Sequence, residues 1–228
     1  MEEDITLPIV TDIEVKEILA KLIDTNNMPY ISILIGIKKM KFSFMRSLNP
    51  ILDQACDCLL IKADIAAITL TNFLVERTLK LAVTIREGNG KTYSSDIPLE
   101  QVFKEEIEMY DNKKMEQTIN RAKSLGIITK DESKFLKKCR VKYRNPFSHA
   151  ELQTILTGST VTTYEASLFN PTDIVEREVN LSTTPLFQDW GLAQYCKKHS
   201  FDYFIEIFVL ARKIEKRLLD LYESNKNC

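Results

Sequence analysis

The imidazole in this 228-residue chain comes from two histidines, His149 and His199, so a histidine-mediated proton transfer near neutral pH falls on one of them. His149 stands five residues after Arg144 in the run Arg144-Asn145-Pro146-Phe147-Ser148-His149. Arginine offers a permanently charged, planar fork of donors that fits the oxygens of a phosphate. Imidazole can take up or release a proton, and Asn145 between them can orient either group or bind the anion. The pattern suits acid–base chemistry at an anionic centre. Other reactive groups narrow the field. The five cysteines (Cys56, Cys58, Cys139, Cys196 and Cys228) form no C-x-x-C, and Cys56 and Cys58 would face different sides of a helix, which argues against zinc. Neither glycine-rich phosphate-binding pattern is present, and Gly88-Asn-Gly90 reads as a turn. Nucleotide-dependent enzymes drop out, and no cofactor is expected.

The motif needs a particular backbone around it. In a regular helix Arg144 and His149 would lie about 500° apart, or about 140° after a full turn, facing poorly toward one reacting group. Pro146 disfavours the helical conformation at Asn145, so the expectation is a restart there, with Asn145 as cap, Pro146 at the first position and His149 in the first turn. Such a helix start favours an anion. Upstream, Thr129-Lys-Asp-Glu132 has the form of a capping box, opening a helix with Phe135, Leu136, Cys139 and Val141 inward. Before it, a helix through Met115, Ile119, Ala122 and Leu125 should stop at Gly126 in the left-handed conformation, with Ile127 closing a Schellman-type end.

The rest of the chain reads as a helical frame in one domain. Residues 1–45 hold a helix opened by Thr11-Asp-Ile-Glu14 and an extended segment over 30–44, where Ile31, Ile33, Ile35 and Ile37 alternate. Residues 46–150 hold the main bundle, starting from Asn49 as a cap before Pro50, with one broken helix or two in series to about Ile85 and a loop over 87–98. Residues 152–190 read as an irregular insertion with a hairpin across 155–164. Residues 191–224 carry the last helix, marked by Phe204, Ile207, Phe208, Ala211, Ile214, Leu218 and Leu221. The fold class expected is all-α with one non-helical insertion.

The stretch 115–151 resembles the HEPN superfamily. The likeness lies in the order of parts: a helix ending in Leu125-Gly126-Ile127-Ile128, a short capped lysine-rich helix, Tyr143, and then Arg144-Asn145-Pro146-Phe147-Ser148-His149. The resemblance implies an all-α domain that pairs as a homodimer. In catalytic members it implies a metal-independent endoribonuclease whose R-x4–6-H motifs line a shared cleft. RNA would be the substrate, Arg144, Asn145 and His149 the catalytic set, and a toxin or phage-defence setting the context, with an antitoxin or other protein as a further partner. Some HEPN toxins carry a tyrosine two positions after the histidine that an antitoxin modifies; here Glu151 stands there. The superfamily also contains modules that dimerise or regulate without catalysis. The intact Arg144, Asn145 and His149 favour the ribonuclease.

Neighbouring residues have two readings each. Lys134, Lys137, Lys138, Arg140, Lys142 and Arg144 concentrate charge on a chain with 31 basic and 32 acidic residues, net −1, as RNA phosphate contacts would require. Lys134, Lys138 and Lys142 also recur every four residues, as the solvated face of a helix does. Tyr143 and Phe147 suit base stacking or the core. Glu76 can orient Arg144 or pair with Lys80 four residues on. His199 and Trp190 read as structural. No apolar run is long enough to cross a bilayer and the first residues, Met1-Glu-Glu-Asp, begin no signal peptide, so a cytoplasmic location is expected.

Overall fold

A computed structural model describes residues 28–88, 101–166 and 174–226. It is mostly helical, with one two-stranded sheet. In order come α1 (Met28–Lys39), a 3₁₀ turn (Arg46–Leu48), α2 (Asn49–Leu60), α3 (Asp64–Glu87), α4 (Lys104–Asp111), α5 (Met115–Ser124) and α6 (Lys130–Cys139). A π-helical turn (Arg140–Arg144) joins α6 to α7 (Asn145–His149), followed by α8 (Leu152–Ile155), β1 (Thr160–Ala166), β2 (Ile174–Asn180), a second 3₁₀ turn (Leu181–Thr183) and α9 (Pro185–Lys226). No helix of the described residues is long and apolar enough to cross a membrane.

α3 is the central element, packed chiefly on α9 with α2 and α5 at its flanks. Its buried residues, Ala67, Ile68, Thr71, Leu74, Val75, Thr78, Leu79, Ala82 and Val83, recur at three- and four-residue steps, so one broad face is apolar. Thr71 and Thr78 lie inside without cost from unpaired hydroxyls, because each donates to the carbonyl four residues back, at 2.7 Å. On α9 the expected Phe204, Ile207, Phe208, Ala211, Ile214 and Leu218 are buried, each large apolar side chain contributing about 1.5–3 kcal/mol, while the expected Leu221 is half-buried.

Two signals upstream of the motif, the helix end at Gly126 and the capping box at Thr129, take their expected form, whereas Val141, expected to face inward, is exposed. Gly126 has φ 72°; Ile127 N–H reaches Ala122 O at 2.9 Å and Gly126 N–H reaches Lys123 O at 3.1 Å, which is the Schellman pattern. Glu132 N–H donates to Thr129 Oγ1 while Thr129 N–H donates to Glu132 Oε2, at 3.2 and 2.8 Å. Arg217 of α9 grips the same Glu132 carboxylate with both terminal nitrogens, at 2.7 and 2.8 Å, and donates to Ile127 O at 2.9 Å. The start of α6 is thereby fastened to the longest helix.

Four expectations need correction. Residues 30–44 are not extended: α1 occupies Met28–Lys39. A period-two pattern stabilises a strand only against a partner, whereas Tyr30, Leu34 and Ile37 at helical spacing reach the core, the Tyr30 ring lying tilted against Phe201 with centres 4.1 Å apart. Asn49 does not cap α2; it is helical, and its amide exchanges hydrogen bonds with the backbone of Phe42 at 2.8 and 3.1 Å. The hairpin is longer and shifted from 155–164: β1 begins at Thr160, with Thr160 facing Asn180 and Ala166 facing Ile174. The last helix starts at Pro185, so Trp190 is helical and half exposed. The first helix and most of the loop over 87–98 fall outside the described residues.

Candidate functional site

The chain does not break at Pro146. Arg144 and Asn145 both have helical angles, φ −66° with ψ −53° and −52°, and Asn145 N–H bonds to Arg140 O, five residues back. A proline inside an α-helix collides with the carbonyl four residues earlier and supplies no N–H. Widening the preceding turn by one residue relieves that conflict, and a π-turn is the form this takes. Asn145 is therefore not a cap, and no free helix start faces an anion there. The helix ends instead at Ala150, which is left-handed at φ 52° and donates to Pro146 O.

Continuity of the helix keeps Arg144 and His149 on different sides. Arg144, half-buried, turns toward α3, where its Nε lies 3.3 Å from Glu76 Oε2. The other oxygen of Glu76 holds Lys80 Nζ at 3.4 Å, so the carboxylate contacts both Arg144 and Lys80. Thr69, Asn72, Phe73 and Glu76 of α3 enclose with Arg144, Phe147 and Ser148 a pocket of about 190 Å³. His149 is exposed at the end of α7 and, like the half-buried Asn145, does not line this pocket.

Asn72 is the residue that sequence reasoning missed. It is buried, donates through Nδ2 to Tyr143 O at 3.3 Å and accepts from the Tyr203 hydroxyl at 2.8 Å. A π-turn disturbs the helical hydrogen-bond ladder, and Asn72 meets the carbonyl at the end of this one. The signal was an asparagine inside the apolar run Thr71-Asn72-Phe73-Leu74-Val75.

The basic run is divided. Arg140 pairs with Glu116 at 3.1 Å, Lys134 with Asp131 at 3.2 Å and Arg144 with Glu76. Lys137 is half-buried, while Lys138 and Lys142 are exposed. Lys142 Nζ lies 5.0 Å from the Tyr143 ring centre and 6.0 Å from that of Tyr195. Tyr143 is buried and stacked on Tyr203 at 4.0 Å, so its ring is not presented to a base, and burial pushes its hydroxyl up to about 12. Phe147 is half-buried, 6.4 Å from the Tyr195 ring. His199 packs on Tyr195 at 4.5 Å; burial, then the charges of Lys142 and Lys198, lower its basicity against the opposing pull of Asp202. Burial also pushes Cys56, Cys139 and Cys196 up to about 12, which suits packing rather than nucleophilic roles.

Among the described residues no group of three His, Cys, Asp or Glu side chains converges as a metal site would require. What the arrangement offers chemically is a guanidinium held by a carboxylate at the wall of a small pocket; Lys138, Lys142 and His149 are exposed but do not line it. Compared with known proteins, the chain matches no protein-family model, no curated protein and no solved structure.

Proposed function

We propose that the chain is a HEPN-type, metal-independent endoribonuclease that works as a homodimer in a toxin or phage-defence setting. The observation that supports it most is the Glu76–Arg144 pair at the pocket wall, 3.3 Å apart although 68 residues separate them in sequence. A guanidinium steadied by a carboxylate keeps donors free for an incoming phosphate, and the exposed Lys138 and Lys142 are available for further backbone contacts.

In this reading the 2′-oxygen of the RNA attacks the adjacent phosphorus. A base removes the 2′-OH proton, Arg144 stabilises the negative charge on the phosphoryl oxygens, and an acid protonates the departing 5′-oxygen. His149 supplies one proton transfer. Because Arg144 and His149 diverge within one chain, the reading requires Arg144 of one subunit to act with His149 of the partner subunit across a two-fold axis. Asn145 orients the phosphate or the imidazole.

That same divergence favours a second reading, a HEPN-fold module that dimerises or regulates without cleaving. Incubating the purified protein with total RNA in EDTA, beside His149→Ala, separates the two. The ribonuclease cleaves and the variant loses about 10²–10⁴-fold in rate. Equal activity of the two proteins, or none in either, counts against catalysis by the motif.

A further inference from the structure

The ribbon of β1 and β2 pairs with no other strand among the described residues, and Tyr164, Ile174 and Val175 along it are exposed. Two strands alone are only marginally stable in water and gain from a third. Its two edges, unpaired among the described residues, differ in chemistry. Leu181 N–H donates to Ser159 O at 2.9 Å, which continues the register of Thr160 with Asn180, so the hydrogen-bonded pairs fall at Val161–Val179 and Thr163–Arg177. The backbone groups of Thr160, Thr162 and Tyr164 therefore point outward from β1, and those of Glu176 and Glu178 outward from β2.

The edge of β2 is guarded against self-association. Antiparallel pairing of its middle with a second copy would set Glu176 or Glu178 against another glutamate, and like charges directly opposite are unfavourable. The edge of β1 carries no such guard: from Thr160 to Tyr164 every residue is β-branched or aromatic and none is charged. About a two-fold axis at Thr162, Thr162 faces its own copy, Val161 faces Thr163 and Thr160 faces Tyr164, with each outward pair able to exchange two backbone hydrogen bonds.

We infer that two copies of this chain associate through antiparallel pairing of β1 with β1, forming a four-stranded sheet in the order β2-β1-β1-β2. The inference rests on the proposed homodimer and names its surface. That surface adjoins the candidate site, because Val161 at the base of β1 packs in the same small apolar cluster as Phe147, with Ile155, Leu156 and Leu181.

Sedimentation of the full chain at micromolar concentration tests it. Thr162→Pro removes an outward N–H without touching the hairpin's own bonds, and Thr162→Lys sets lysine against lysine. Both should weaken the dimer by at least about tenfold with unchanged circular dichroism. Thr162→Cys should cross-link on oxidation, since paired Cα atoms stand about 5.5 Å apart, within disulfide span. Wild-type dimers that persist in both weakening variants, with no cross-link, would overturn the β1 contact while leaving the homodimer standing. A wild type that stays monomeric would overturn both.

Discussion

Glu76 Oε2 stands 3.3 Å from Arg144 Nε, and in the proposed ribonuclease it fixes where the guanidinium points. Glu76→Gln keeps the shape but releases the guanidinium; we expect RNA cleavage to fall about tenfold, far less than the loss in Arg144→Lys, where the bidentate fork itself is gone. Single-turnover rates measure this, and an unchanged Glu76→Gln would remove the carboxylate from the account. Asn72→Leu should destabilise the fold by about 1–3 kcal/mol, leaving Tyr143 O and the Tyr203 hydroxyl without their buried partner, as chemical denaturation would report. The approach of Glu76 to Arg144 was readable from residue type. Asn72 was not, because its role depends on a backbone carbonyl 71 residues away.

Elements whose signals are local were legible: the capping box at Thr129, the Schellman end at Gly126 and the face of α9 each follow from residues within one or two turns. α1 and the π-turn were not, since the alternating isoleucines and Pro146 each suggest a local form that tertiary packing overrides. The left-handed Ala150 is a strained end for α7, so Ala150→Gly should raise stability by up to about 1 kcal/mol, seen as a higher Tm, whereas a lower Tm would contradict that account of the cap. At the start of α6, burial alone would raise the Glu132 carboxyl, but hydrogen bonds from Arg217 and Thr129 together with the Arg217 charge hold it below the usual range. A carboxyl depressed in the folded state stabilises above its unfolded pKa, and that contribution is lost as pH falls through the folded value. Arg217→Ala should therefore cost about 1–2 kcal/mol at neutral pH and progressively less in acid; a cost that does not depend on pH would point to lost packing instead.

At the scale of the whole molecule, a helical frame built on α3 and α9 presents the motif beside a projecting ribbon. Composition and periodicity sufficed for the helical class and for an insertion after the motif. Periodicity implied that Arg144 and His149 would face apart in a continuous helix, but it could not reveal that the helix does continue through Pro146. Attack by the 2′-oxygen leaves a signature on the ends of the product molecules. With purified protein in EDTA, RNA fragments should carry 2′,3′-cyclic phosphate and 5′-hydroxyl ends, and an all-DNA substrate of the same sequence, lacking the nucleophile, should stay intact. Fragments with 5′-phosphate ends, cleavage of the DNA, or activity that vanishes in EDTA and returns with Mg²⁺ would contradict it.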